Sequence, residues 1–535
     1  MAKNNTPEIH DADFYDIELP SYEGEEPYIF VSYSHADTPK VRDILTRIDE
    51  ERFRFWYDDT MEIGEDFRLE LQQKIEKCSA FLLFISPASM QSKYCGMEII
   101  IAYKNDKRIF PVYLDDTTEI PGALKMILEN LQHVKGASID KDARYIDKLI
   151  SSLPTETMRS LAIEGDVLVK CKDGSAHLTV PGAVRVIGPG AFKNCEKLER
   201  LDIGESVEAM MTEACRGCKR LGSLTLPKNV RLVGESAFRD CTSLTSLSVE
   251  NDEIELGERA FENCANLSDV TLADGISEIY GGVFNSCKAL SAIRLPENLT
   301  VLGESSFADC VSLTEIDIPD GVTKIDDMAF NGCLSLTRID MKDKITKLGK
   351  YTFKDCKSLE TVTLPSSVNS IGIGPFRGCT KLSEIKVDPK SRYFKSVDSV
   401  LFNKNKSVLV AFPPKKDLTS YAVPDSVTEI AAWAFCDCHS LAEVIIPDSV
   451  IEIGEGAFYQ CDSLKEIIIP DSVDKIDDTA FRGCTSLERV VIPDSVTEFG
   501  WGIFNGCDKI SVVCSDNSAA ARYCDKKNIP HCEAN

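Results

Sequence analysis

Cys310-Val-Ser-Leu313-Thr-Glu-Ile316-Asp-Ile318-Pro319-Asp-Gly-Val322-Thr-Lys-Ile325-Asp-Asp-Met-Ala329-Phe330 is the stretch whose reading decides the fold of most of this chain. Its apolar residues stand at fixed places separated by polar ones, and the same places recur 23 residues away in both directions. Phe192, Phe238, Phe261, Phe284, Phe307, Phe330, Phe353 and Phe376 keep that spacing, with Cys215 in the one missing place. A cysteine stands three residues after each, from Cys195 to Cys379. The period returns at Phe435, Phe458, Phe481 and Phe504, with Cys438 to Cys507, which makes thirteen repeats. A short fixed period is the mark of a solenoid, in which each turn buries the apolar face of its neighbours.

The repeat explains an otherwise puzzling composition. Thirteen of the 21 cysteines occupy one equivalent position, so they stack as a ladder of small buried thiols rather than as a disulfide framework. Cys215-x-x-Cys218 has redox or zinc-like spacing, but Cys218 is the ladder thiol and Cys215 stands for the repeat phenylalanine. Free thiols on this scale call for a reducing compartment, and the expectation is the cytoplasm. Between Val387 and Val423 the period breaks, and Ser396–Phe402 and Ser407–Phe412 read as a hairpin around Asn403–Lys406, so residues 388–423 are an irregular hairpin. Residues 514–535 read as a C-terminal cap with one helix and a last short strand. Along the repeat strands, the residue between the two buried positions points outward. It is polar in the first nine repeats, from Asp202 to Lys386, and apolar in the next three, Ile445, Ile468 and Val491. A contiguous apolar patch on a polar face predicts a partner-binding site there.

The rest of the composition narrows the partners. The chain has 535 residues, 43% apolar and 27% charged, and a net charge of −26, which argues against nucleic acid or an anionic membrane surface. No segment approaches the roughly 20 apolar residues of a membrane span. Residues 1–25 are acidic and lack an apolar leader, so they are expected to be a flexible tail. An adhesin or exported effector is therefore not the expectation.

Residues 26–155 follow a different rule. Tyr28–Tyr33, Phe53–Tyr57, Ala80–Ile85 and Arg108–Leu114 read as strands, with helices from Val41, over Phe67–Cys78, after Ser92 and over Tyr145–Leu153; a weak strand passes through His133-Val134. Strands alternating with helices predict a parallel sheet covered on both faces, with its site outside the carboxyl ends of the strands. Those ends are Ser34-His35, Tyr57-Asp58 and Ser86-Pro87. A helix follows the third of them, with Ser89 and Ser92 both able to cap it and Met97, Ile100 and Ile101 as its expected buried stripe. Glu98 is the only acid between Tyr94 and Lys104 and shares a helix face with Tyr94. Taken alone it reads as a solvent-exposed glutamate; at the edge of apolar surface, desolvation would raise its pKa. Taken alone, His35 reads as a solvated loop residue and Asp58 as a turn former at a strand end. Cys95 has no histidine partner in sequence, which argues against a thiol nucleophile. There is no phosphate-binding glycine loop and no metal-ligand spacing. Residues 156–170 read as a linker.

Four pieces in order, Tyr28-Ile-Phe-Val-Ser-Tyr-Ser34, Trp56-Tyr-Asp-Asp59 with Gly64, Ile85-Ser-Pro87 and Ser92-x-x-Cys95-x-x-Glu98, resemble a bacterial-type Toll/interleukin receptor (TIR) domain over 26–155. Residues 171–535 resemble the BspA-type leucine-rich repeats. The resemblance implies an α/β, flavodoxin-like parallel-sheet domain joined to a leucine-rich-repeat solenoid. Many TIR domains cleave NAD at the nicotinamide glycosidic bond, and others only assemble with further TIR domains. By this likeness Glu98 is the catalytic residue, and Ser34, His35, Tyr57, Asp58, Tyr94 and Cys95 contact the substrate. Many members carry Trp at the position of Tyr94, and several carry basic residues where this chain has Ser34-His35. NAD is then a substrate, with no cofactor and no metal. Self-association through TIR domains and an unidentified protein or ligand on the repeats are the implied partners. The leading expectation is a sensor-effector in defence signalling; the alternative is a non-enzymatic TIR scaffold.

Overall fold

The computed structural model describes residues 19–533 apart from 20, 25–26, 52, 59–64, 116–117, 129–144, 155–160 and 172–174. The chain divides at Ala162/Ile163 into two compact units.

In the N-terminal unit, strands β1 (Ile29–Ser32), β2 (Phe55–Tyr57), β3 (Ala80–Ile85) and β4 (Ile109–Tyr113) form a parallel sheet in the order β2-β1-β3-β4. Ile29 pairs with both Phe55 and Ala80, which sets the register of β2, β1 and β3. Helices α1 (Thr38–Glu50), α2 (Glu65–Lys77), α3 (Pro87–Gln91), α4 (Lys93–Lys104), α5 (Gly122–Leu128) and α6 (Tyr145–Ser152) make the crossovers. Alternation along the strands separates two cores. Ile29, Val31 and Tyr33 pack on Val41, Ile44, Ile48 and Leu149, whereas Phe30, Phe81 and Leu83 pack on Leu71, Ile75, Ile99 and Ala102. The doubly covered parallel sheet is the architecture the sequence predicts. The helix expected from Val41 begins earlier, at Thr38, with Pro39 in its first turn where no amide donor is needed. The strand expected near His133-Val134 lies outside the described residues.

Two other expectations fail here. Part of the stretch expected to be a flexible tail is docked: Tyr22 N donates to Phe55 O (2.9 Å), Trp56 Nε1 to Glu23 Oε1 (2.9 Å), and the Tyr57 hydroxyl to Leu19 O. The cause is that β2 is a sheet edge, whose open carbonyls and amides recruit any segment able to pair. The stretch expected as a linker is also structured from residue 161, where β5 (Leu161–Glu164) and β6 (Val167–Cys171) begin the repeat array, Val167 pairing with Val186.

The second unit is the solenoid. Short parallel strands stack turn on turn with partners 23 residues apart, as Lys324 on Lys347 and Glu315 on Arg338. The repeat phenylalanines form a buried stack with centroids 5.0–5.9 Å apart, from Phe238 to Phe376 and again from Phe435 to Phe504. All 21 cysteines are free thiols. The ladder cysteines are hydrogen-bond donors as well as filler. Cys264 Sγ donates to Phe238 O at 3.3 Å, and that carbonyl also accepts the Cys241 amide at 3.2 Å, so both of its lone pairs are used. The same thiol bond recurs at Cys287, Cys310, Cys333, Cys356 and Cys379. Burial pushes the Cys310 thiol up to about 12, so it stays protonated and able to donate.

The interruption is an enlarged turn rather than a break. Phe412 lies 23 residues before Phe435, packs against it with the rings tilted at 31° and their centroids 5.2 Å apart, and its amide donates to Ala434 O as that of Phe238 does to Ala260 O. The hairpin is also placed differently. Ser396–Phe402 is not one strand but two, Phe394–Val397 and Val400–Asn403, reversed at Asp398 and Ser399, both left-handed (φ 49° and 67°). Two consecutive positive φ values match the turn that joins twisted antiparallel strands. Val408–Ala411 then joins the array in parallel with Glu429–Ile430. Helix α7 (Ala519–Lys527), capped by Ser518, and strand His531–Cys532 close the far end.

Candidate functional site

Helix α4 brings a carboxylate under the carboxyl end of the sheet. Ser92 caps it by accepting the Cys95 amide, while Ser86 caps α3 in a reciprocal pair with Ser89, so the two helices turn sharply at Ser92. The face that α4 buries is Cys95, Glu98, Ile99 and Ala102, not the predicted Met97/Ile100/Ile101 stripe; Ile100 is 40% exposed. The apolar residues of this helix run nearly all the way round, so periodicity alone did not single out a face. Packing did, and it chose the face with the acid.

Glu98 is therefore 7% exposed, the reverse of the solvated glutamate that its own neighbourhood in sequence suggests. Ser32, the last residue of β1 and 1% exposed, donates its hydroxyl to Glu98 Oε2 at 2.5 Å. Burial raises the Glu98 pKa to about 7; the Ser32 hydrogen bond lowers it, and the Asp58 carboxylate adds to the rise. Around neutral pH this group exists in both protonation states. Cys95 donates its thiol to Tyr33 O at 3.4 Å, and burial, with Glu98 nearby, pushes it up to about 12. A protonated, buried thiol is a packing and anchoring group for α4, which agrees with the absence of a partner base.

The other predicted contacts divide. Asp58, half-buried after β2, acts on Glu98 through its charge. Ser34 and His35 sit beyond β1, where Ser34 O accepts the Asp37 amide and the His35 ring packs edge-on to Tyr33 at 5.5 Å. His35 Nε2 is buried and finds no partner among the described residues. Tyr94 is 40% exposed and does not share the burial of Glu98. Tyr57 is corrected outright. Its side chain belongs to the core on the opposite face of the sheet from Ser32, and its hydroxyl is committed to Leu19 O. Asp59 and Gly64 lie outside the described residues.

Ser32 and Asp37 were missed, and Ser86 was named only as a strand end. Ser32 was read only as part of an apolar strand, although a single hydroxyl in such a run is a usable signal. Asp37 and Ser86 are joined by a hydrogen bond of 2.5 Å from Ser86 Oγ to Asp37 Oδ2, which ties the loop after β1 to the end of β3.

With the geometry in hand, comparison with known proteins adds the family. The BspA type Leucine rich repeat region (6 copies) matches residues 169–291, 277–408 and 410–522. The chain belongs to that family. A TIR domain model matches residues 29–150, so the unit that holds Glu98 is a TIR domain. No curated protein matches the chain. Among solved structures, a leucine-rich repeat protein from Bacteroides ovatus is 26% identical, covering 71% of this chain and 91% of its own, with a TM-score of 0.45. A leucine rich cell surface protein from Faecalibacterium prausnitzii is 25% identical, covering 70% and 98%, with a TM-score of 0.47.

On the BspA-type array, the predicted apolar stripe is real as a surface: Ile445 and Ile468 are 53% and 56% exposed, and Val491 is half-buried, on the outward side of successive paired strands. Among the described residues no helix is long and apolar enough to cross a membrane, and no group of His, Cys, Asp and Glu could hold a metal ion.

Proposed function

We propose that the TIR domain cleaves NAD between ribose and nicotinamide, giving nicotinamide and ADP-ribose or a cyclic ADP-ribose product, under the control of the repeat array. The observation that carries this reading is the buried Glu98 carboxyl held at the carboxyl end of the parallel sheet. In the reaction the bond between C1′ and the pyridinium nitrogen breaks, and its electron pair leaves with nicotinamide, which becomes neutral. Positive charge grows on the ribose, and water or a nucleophile within the ADP-ribose itself then adds to C1′. A fixed carboxylate in a dry site stabilises that developing charge better than water does, because it needs no reorganisation as the charge appears. Asp58 and His35, at the ends of β2 and β1, are the groups we assign to ribose and phosphate. NAD enters as substrate and no cofactor is required.

The array supplies recognition: a ligand or protein on the repeats, with TIR–TIR association as the step that switches the domain on, in defence signalling. The free-thiol ladder favours a reducing compartment, the cytoplasm. The test is incubation of the full chain, free and clustered, with NAD while free nicotinamide is measured. Turnover that stops in folded Glu98→Gln and Glu98→Ala supports the reading. Normal turnover in folded Glu98→Gln removes Glu98 from the chemistry, and no turnover in any clustered preparation leaves the TIR domain as a scaffold.

A further inference from the structure

Ser32 ends a face of β1 on which Phe30, and Tyr28 just before the strand, are buried in the core shared with α4. A hydroxyl sealed from water needs a partner, and this one has Glu98 Oε2 at 2.5 Å across 66 residues of sequence. Among the described residues Glu98 Oε1 takes no hydrogen bond. The two oxygens are therefore not equivalent. We propose that Ser32 is a positioning residue for Glu98, its hydroxyl pinning Oε2 and leaving Oε1 as the atom that meets the substrate. The inference rests on the reading of Glu98 as the catalytic group.

A serine suits the task because its hydroxyl both donates and accepts. It donates to the carboxylate and, after a turn of the C–O bond, can accept from the carboxylic acid, so Glu98 is held in either state. The hydrogen bond also favours the charged form, against the desolvation that disfavours it. From the elements packed around Glu98, the titratable groups that bear on it among the described residues are Asp58 at the end of β2 and Cys95 on α4. Asp58 raises the pKa further, and Cys95 stays a neutral thiol through the working range. Ser32 is the only one of these neighbours that favours ionisation, so its removal moves the titration upward.

The experiment uses the full chain labelled with 13Cδ-glutamate. The Glu98 resonance is the one lost in Glu98→Gln, and its titration is followed by NMR in the parent, Ser32→Ala, Ser32→Cys and Ser32→Thr chains. Ser32→Ala should raise the midpoint by about one pH unit or more. Ser32→Cys, close in shape but a weak donor, should raise it by less, and Ser32→Thr should restore the parent value. Where NAD is turned over, the acid limb of the kcat profile should move with the midpoint while KM changes little. The NMR reading stands even if no preparation cleaves NAD, so failure of the enzymatic reading and failure of this one are separable. If Ser32→Ala does not fold, Ser32→Cys carries the test. A Glu98 midpoint unchanged in folded Ser32→Ala and Ser32→Cys overturns the proposal, as does an unshifted acid limb with a lowered kcat in those two variants, which is the mark of a packing defect alone.

Discussion

A carboxyl buried for chemistry should destabilise the domain that holds it, and Glu98→Gln tests this by stability rather than by activity. The amide oxygen of glutamine can still accept from Ser32, so the substitution keeps the shape and the hydrogen bond and removes only the ionisation. Glu98 is moved from 4.5 to about 7 by burial and by Asp58. Between those values the folded state holds a proton that the unfolded state has lost, so stability falls as pH rises through this window. Above about pH 7 the whole cost is present, about 3 kcal/mol. The stability gained by Glu98→Gln should therefore be close to zero near pH 4, grow through the window, and level off at about 3 kcal/mol above pH 8. Hydrogen exchange of the slow β1 and β3 amides in the full chain, corrected for intrinsic rates, reads this domain without interference from the repeats. A gain that does not change with pH would refute the argument, because the carboxyl would then titrate alike folded and unfolded.

Two further outcomes follow from the array. Phe330 is fully buried between Phe307 and Phe353 at 5.8 and 5.7 Å, and Phe330→Ala should cost about 3–5 kcal/mol. Hydrogen exchange should loosen in the neighbouring repeats and leave β1 and β3 unchanged, since each turn leans only on its neighbours; uniform loosening of both units would contradict this. Replacing Ile445, Ile468 and Val491 with Asp, Thr and Ser should change stability by no more than about 0.5 kcal/mol and abolish partner capture or shift NAD turnover. Unchanged association and turnover would reduce the stripe to repeat consensus.

The repeat array was legible from residue spacing because a solenoid is nearly one-dimensional: each contact lies one period away, so the period itself states the contact map. The 23-residue phenylalanine spacing determined the stack, and the cysteine three residues on determined the ladder. Phe412 was equally in phase with Phe435, but Lys415 stands where the ladder cysteine would be, and the match passed unseen. The βα alternation likewise determined the parallel sheet and put Glu98 on a helix near its carboxyl end. What lay outside the reach of sequence was which face each residue of that domain took. An apolar helix such as α4 has no single stripe, so the burial of Glu98 and the exposure of Ile100 were decided by packing against α2 and the sheet. The pairing of Ser32 with Glu98 spans 66 residues, the loss of Tyr57 to the far face depends on strand pleat, and the docking of Leu19, Tyr22 and Glu23 depends on β2 being an edge. Each of these is a contact between segments with no fixed spacing, and only the closed tertiary structure, which must bury apolar surface and still pair most of the polar groups it buries, selects them.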